Sequence, residues 1–245
     1  MGKVYALGDL HGHGGLWNKI KDFLQPDDIL YFIGDAIDRG NDSFTIACDL
    51  LFDKRVMYLK GNHEFMAENA LYEMIKVDKR PDKKVIKLWT YSNGGQITLD
   101  SIIENGALYK EWADVFHNLP LQVTYTNKNG QRIILCHAGF TLGMEGTLSE
   151  FNLVWDRDHL TIPTPDDKLD SNIIVVHGHT PTPILKEYLN NAKKYHRKDW
   201  YDFTENNGII FYGQGHKIDI DCGAIFLKKT ALLDLDTLEV IPFSI

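Results

Sequence analysis

Cysteine is scarce: Cys48, Cys136 and Cys222 are the only three, and none falls in a CxxC pair. That excludes a disulfide scaffold and a cysteine-rich zinc site, and it fits a reducing compartment. Basic charge is short as well. Lys and Arg total 26 against 34 Asp and Glu, a formal net charge of −8. Such a chain lacks the electrostatic footprint of a non-specific nucleic-acid binder, so no stable nucleic-acid partner is expected. Long apolar runs are missing too. No stretch of 18 apolar residues occurs, so no membrane span is expected. The opening MGKVYALGD reaches an acidic residue too early for a signal peptide. Ala6 stands where a myristoylation motif needs Ser or Thr. The expected location is cytoplasmic.

What is present is ordinary globular material. Hydrophobic residues make up 44% and charged residues 24% of the 245, which excludes a collagenous or disordered chain. At this length roughly 70–75% of the unfolded surface can be buried, enough for a core without staples. Neither a linker nor a repeat marks a boundary, so residues 1–245 are expected to form a single domain.

One local pattern recurs five times along the chain: a short apolar run ends abruptly in a loop carrying His, Asp or Asn. Val4–Leu7 leads into Gly8-Asp9-Leu10-His11-Gly12, and Ile29–Ile33 into Gly34-Asp35-Ala36-Ile37-Asp38-Arg39-Gly40. Val56–Leu59 leads into Gly61-Asn62-His63-Glu64, Ile133–Cys136 into His137-Ala138-Gly139, and Ile173–Val176 into His177-Gly178-His179-Thr180-Pro181. Continuous Val, Ile, Leu and Tyr runs read as strands covered on both faces. Helical stretches at roughly 15–24, 43–53 and 64–77 separate the first three, a βαβ rhythm that implies a parallel beginning. Residues 82–118 read as helical with a break at Asn93-Gly94-Gly95. Beyond Pro120 the pattern turns to β, with Asn129-Gly130 as a hairpin turn between 121–126 and 131–136. Further strands are expected near 208–212, 224–228 and 231–235. The fold class is therefore α/β: two packed mixed β-sheets, a β-sandwich flanked by helices.

A single Gly-Asp or Gly-His pair is usually just a turn. Five in the same strand-then-loop setting point to one site, because loops at the carboxyl ends of such strands converge. Asp9, His11, Asp35, Asn62, His137 and His179 then offer carboxylate, amide and imidazole donors together. That mixture suits manganese, iron, zinc or cobalt better than calcium. Six donors are too many for one catalytic ion and suit two ions about 3.5–4 Å apart with a bridging carboxylate.

The blocks GDLHG (8–12), GDAIDRG (34–40), GNHE (61–64), HAG (137–139) and GHTP (178–181) resemble, in order, those of the phosphoprotein phosphatases within the calcineurin-like metallophosphoesterases. Leu153-Val154-Trp155-Asp156-Arg157 and Ile220-Asp221-Cys222-Gly223-Ala224-Ile225-Phe226 further resemble the bacterial and bacteriophage Ser/Thr protein phosphatase branch. The resemblance implies a metallo-dependent phosphatase-like fold and two divalent ions, manganese foremost, with iron, zinc, cobalt or nickel open. It implies Asp9 and His11 on the first ion, Asp35 bridging, and Asn62, His137 and His179 on the second. Asp38 and His63 match the family's carboxylate–histidine pair, with His63 as proton donor to the leaving alkoxide. Arg39 matches a phosphate-binding arginine, and Arg157, in a looser motif, a second.

The implied activity is phosphoester hydrolysis by a metal-activated water attacking phosphorus in line, without a covalent intermediate. The expected substrate is a phosphorylated protein or a nucleotide. GNHE rather than GNHD leans toward Ser/Thr protein phosphatases. Symmetrical diadenosine tetraphosphate hydrolases and other nucleotide phosphatases are the alternatives. A silent metal-binding regulatory module is the remote one, since every expected ligand is intact.

Three features stand apart from the motifs. Cys136 reads as a buried strand cysteine beside His137, and His13 and His177 as outer partners or surface groups. The stretch 185–217 carries Lys193-Lys194-Tyr195-His196-Arg197-Lys198 followed by Trp200, Tyr201 and Phe203. It reads as a substrate-facing insertion, or as an exposed loop anchored by a few aromatics.

Overall fold

The computed structural model describes residues 2–144, 148–164, 170, 172–194 and 198–245. Three strands open the chain, β1 (Val4–Leu7), β2 (Ile29–Phe32) and β3 (Val56–Tyr58). Helices α1 (Gly14–Phe23), α2 (Ser43–Phe52) and α3 (Asn62–Met74) follow them in turn. The three strands pair in parallel, Val4 beside Ile29 and Leu30 beside Val56, as the βαβ rhythm predicts.

The helical middle comprises α4 (Lys83–Lys87), a π-helical turn (Leu88–Ser92), α5 (Gln96–Glu104) and α6 (Tyr109–His117). The break at Asn93-Gly94-Gly95 has a packing reason. A side-chain carbon at Gly95 would lie 2.2 Å from the Trp89 indole nitrogen, so only glycine lets the backbone pass there. The hairpin then forms β4 (Gln122–Thr126) and β5 (Arg132–Cys136), antiparallel with Gln122 opposite Cys136.

Next come α7 (Glu150–Trp155), β6 (Ile173–His177), α8 (Thr182–Ala192), β7 (Thr204–Asn206), β8 (Ile209–Tyr212) and β9 (Lys217–Asp219). Helix α9 (Ala224–Leu227) precedes β10 (Lys229–Asp234) and β11 (Val240–Ser244). One sheet has the order β11-β10-β1-β2-β3 and the other β4-β5-β6-β9-β8-β7. Both mix parallel and antiparallel pairs.

Strand alternation explains the continuous apolar runs. Tyr5 and Leu7 of β1 face the helices with Trp17, Ile20 and Phe116. Val4 and Ala6 face the second sheet, packing with Ile133, Leu135, Ile174 and Val176. The second sheet repeats this, with Ile134, Cys136 and Val175 turned outward against Phe140 and Leu153. Each sheet is covered on both faces, so the runs Val4–Leu7, Ile133–Cys136 and Ile173–Val176 are apolar on both.

One expectation is corrected. Residues 224–228 are not a strand. Left-handed Gly223 (φ 73°) and Lys228 (φ 50°) bracket the short helix α9, and the next strand starts only at Lys229. The apolar run misled because Phe226 and Leu227 are exposed rather than buried. Within 185–217, Trp200 and Tyr201 are fully buried with Leu185, Leu189, Ile210 and Tyr212. They pack on the outer face of the second sheet, as the reading of a loop anchored by aromatics expects. Tyr195, His196 and Arg197 lie outside the described residues. No helix among the described residues is long and apolar enough to cross a membrane.

Candidate metal and phosphate site

Backbone hydrogen bonds stitch the strand-end loops together. Asp9 N–H donates to Gly34 O (3.0 Å), His11 N–H to Asp35 O (3.0 Å) and Gly178 N–H to His137 O (2.8 Å). The turns are sharp. Asp9, His11, Asp35, Asp38, Arg39 and His179 all adopt positive φ, between 45° and 72°. Left-handed backbone at non-glycine residues is costly and clusters at functional sites.

Asp35 sits at the centre. Its Oδ2 lies 3.6 Å from His11 Nε2 and 3.9 Å from His63 Nε2, and its Oδ1 lies 3.4 Å from His137 Nε2. Asn62 Oδ1 lies 2.9 Å from His137 Nε2 and 2.7 Å from His179 Nδ1. Two sets of donor atoms therefore share Asp35: His11, Asp35 and His63, and Asp35, His137 and His179. Asp9 is buried beside them, its Oδ1 accepting the His179 N–H at 3.1 Å.

The protonation pattern fits cations. His137 Nδ1 faces the Ile33 carbonyl at 2.9 Å and His11 Nδ1 the Ile37 carbonyl at 3.1 Å. A carbonyl only accepts, so both Nδ1 atoms carry the proton and both Nε2 atoms present a lone pair. Burial holds the pKa of His11, His137 and His179 below the ordinary range, leaving them neutral as metal binding requires. His137 Nε2 thus meets Asn62 Oδ1 and Asp35 Oδ1 as acceptor against acceptor. Asp9 Oδ2 and His179 Nε2 have no hydrogen-bond partner among the described residues. Converging lone pairs without a proton between them are the mark of a metal-binding donor set, and buried atoms left this way are otherwise costly.

Asp35 is the charged member. Burial works to raise its pKa, but His137, His63, His11 and the His63 amide outweigh it and hold it far below the ordinary carboxylate range.

Residues outside the ligand pattern organise the site. Glu64 is buried and accepts from the Asp35, Ala36 and Gly61 amides (2.8, 3.0 and 2.9 Å) and the Tyr58 hydroxyl (2.7 Å). It ties the β2 loop to the start of α3. Asp38 accepts from Trp89 Nε1 (2.9 Å) and Thr98 Oγ1 (2.6 Å) while holding His63 Nδ1 at 2.6 Å. The sequence carries no signal for Trp89 and Thr98, which lie in a stretch that reads only as helix.

His63 is held at both nitrogens. Burial opposes its protonation, yet Asp35 and Asp38 outweigh burial and raise its pKa. Arg39 donates from Nη1 to His11 Nε2 and from Nη2 to His63 Nε2, each at 2.9 Å. Arg157 donates from Nε to Thr180 Oγ1 at 3.1 Å. Both arginines line a cleft of about 230 Å³ together with His11, Asp35, Asn62, His63 and His179. The structure brings all ten candidate residues into one neighbourhood, with Asp9, Asp38 and His137 set behind the cleft wall. His177 is buried, its Nε2 paired with the Tyr212 hydroxyl at 2.8 Å.

A family model described as calcineurin-like phosphoesterase matches residues 2–218. A Caenorhabditis elegans protein, provisionally named a serine/threonine-protein phosphatase, is 37% identical over 164 residues. That match takes in 64% of this chain and 30% of the relative, so the chain covers less than a third of its length. A structure provisionally named a diadenosine tetraphosphatase superposes with TM-score 0.58 at 15% identity, covering 99% of this chain and 93% of the other. A Saccharomyces cerevisiae protein serine/threonine phosphatase gives 0.53 at 15% identity, covering 100% and 80%. At such identities the superpositions show likeness of fold alone.

Proposed function

Because this chain belongs to the calcineurin-like phosphoesterase family, and so is a hydrolase of phosphoesters, we propose that it dephosphorylates phosphoserine and phosphothreonine side chains. The observation that carries the reading is the placement of Asp35, one carboxylate oxygen toward His11 and His63 and the other toward His137. A carboxylate so placed could be shared by two ions. On this reading Asp9, His11 and Asp35 hold one ion and Asp35, Asn62, His137 and His179 the other. Manganese is the first candidate. Divalent ions bound there supply Lewis acidity to the phosphoryl oxygens and make water nucleophilic near neutral pH.

The chain's own residues do the rest. Arg39 and Arg157 offer planar paired donors to the phosphoryl oxygens. Arg39 also decides the state of His63. While Nη2 donates to His63 Nε2, that nitrogen must be bare. Drawing Arg39 onto a phosphoryl group releases Nε2, and Asp35 and Asp38 then favour a proton on it. Asp38 keeps the ring oriented through Nδ1, so the Nε2 proton is the one aimed at the departing alkoxide. Substrate binding and the arming of the general acid are thereby linked.

The substrate preference is supported by the Glu64 of GNHE and by the name of the C. elegans relative. The test is phosphate release by manganese-loaded protein from phosphoserine and phosphothreonine peptides, diadenosine tetraphosphate and nucleoside monophosphates. A kcat/KM at least 100-fold higher for peptides, about 2.7 kcal/mol of transition-state preference, is expected. Symmetric cleavage of the dinucleotide with poor peptide turnover would overturn the reading in favour of a dinucleotide hydrolase.

A further inference from the structure

Asp221 lies in the loop after β9 and lines the same cleft as His11, Asp35 and Arg39. It is buried, and its Oδ1 accepts the Gly223 N–H at 2.9 Å. Its own amide is held by Asp219 Oδ1 at 3.0 Å, so the loop presents it in a fixed direction. On the far side of Gly178 stands Asp9. A side-chain carbon at Gly178 would lie 2.1 Å from Asp9 Oδ2 and 3.6 Å from Asp221 Cβ. Only a glycine allows the two carboxyl groups to crowd the chain there.

Asp9 Oδ2 is 1% exposed as a residue and has no hydrogen-bond partner among the described residues. Neighbouring buried carboxylates with an unpaired oxygen are costly unless a cation lies between them. The proposed ligand sets are also uneven. One ion has Asp35, Asn62, His137 and His179, whereas the other has only Asp9, His11 and Asp35. Octahedral ions such as manganese favour further oxygen donors.

We propose that Asp221 is a further residue of the metal centre, lending its carboxylate to the ion on the Asp9 side. The proposal rests on the dinuclear reading above. It explains why the loop after β9, far along the chain from the strand-end motifs, turns a carboxylate into the cleft. Asp219 acts one step further back, through the Asp221 backbone.

The experiment is a manganese titration of metal-stripped protein, with free Mn(II) followed by paramagnetic resonance. The unaltered chain is expected to bind two ions. In Asp221→Asn, which keeps an acceptor for the Gly223 N–H, one Kd should stay within twofold and the other rise at least tenfold. Two unchanged constants in folded Asp221→Asn would overturn the proposal while leaving the dinuclear reading intact. Fewer than two ions on the unaltered chain would instead overturn that reading. Should the Asn variant not fold, Asp221→Ser, whose hydroxyl can also accept from Gly223, carries the same expectation and the same refutation.

Discussion

At the scale of single residues, His63 carries the sharpest chemical demand, because Arg39 and a proton compete for one lone pair on Nε2. If that nitrogen protonates the leaving group, its removal should hurt only where the leaving group needs a proton. In His63→Asn, turnover of an alkyl phosphate should fall by about 10²–10⁴-fold, with manganese content unchanged. Turnover of an activated aryl phosphate should fall far less. Equal losses on both substrates would rule out the general-acid role. The types and order of the candidate ligand residues were legible in the sequence, since each sits in a glycine-containing loop just past an apolar run. Trp89 and Thr98 were not legible. They reach Asp38 from 51 and 60 residues away, and nothing local distinguishes them from helix-face residues. The structural work of Glu64 was hidden too, because it consists of bonds to backbone amides of another loop.

Among the elements, strands buried on both faces were readable from their unbroken apolar runs, and the first three helices from their place after them. Those signals failed where apolar residues stay in solvent, as in α9. The outer face of the second sheet holds a group no motif marks. Lys217 of β9 is fully buried, its Nζ donating to the His159 carbonyl at 2.7 Å, with the Trp200 and Tyr212 rings about it at 5.8 and 5.9 Å. Burial lowers its pKa from 10.5 to about 7. Between those values the unfolded chain binds the proton and the folded one does not, so stability contributed by this residue rises with pH. Urea unfolding at pH 7 and pH 9.5 should show the unaltered chain gaining on Lys217→Met as pH rises. A constant difference would show that Lys217 keeps its charge inside the fold.

For the molecule as a whole, two mixed sheets between helical layers bring the ends of β1, β2, β3, β5 and β6 to one cleft. Loops 170 residues apart in sequence meet there, as those of Asp9 and His179 do. The order of the motifs made that convergence legible. The rim was legible only in part: Trp155 and Phe226 lie in the two later blocks, whereas Ile184 of α8 belongs to no motif. If the converging lone pairs hold two ions only in the folded chain, metal should stabilise it. A ligand at 100 times its Kd adds about 2.7 kcal/mol per site. The central claim is that Asp35 joins both ions, and metal content of Asp35→Asn measures it directly. The account predicts two manganese ions per unaltered chain and a melting temperature raised by manganese. It predicts loss of bound manganese, of that rise and of phosphoester hydrolysis in the variant. An Asp35→Asn protein that keeps two ions and full activity would contradict it.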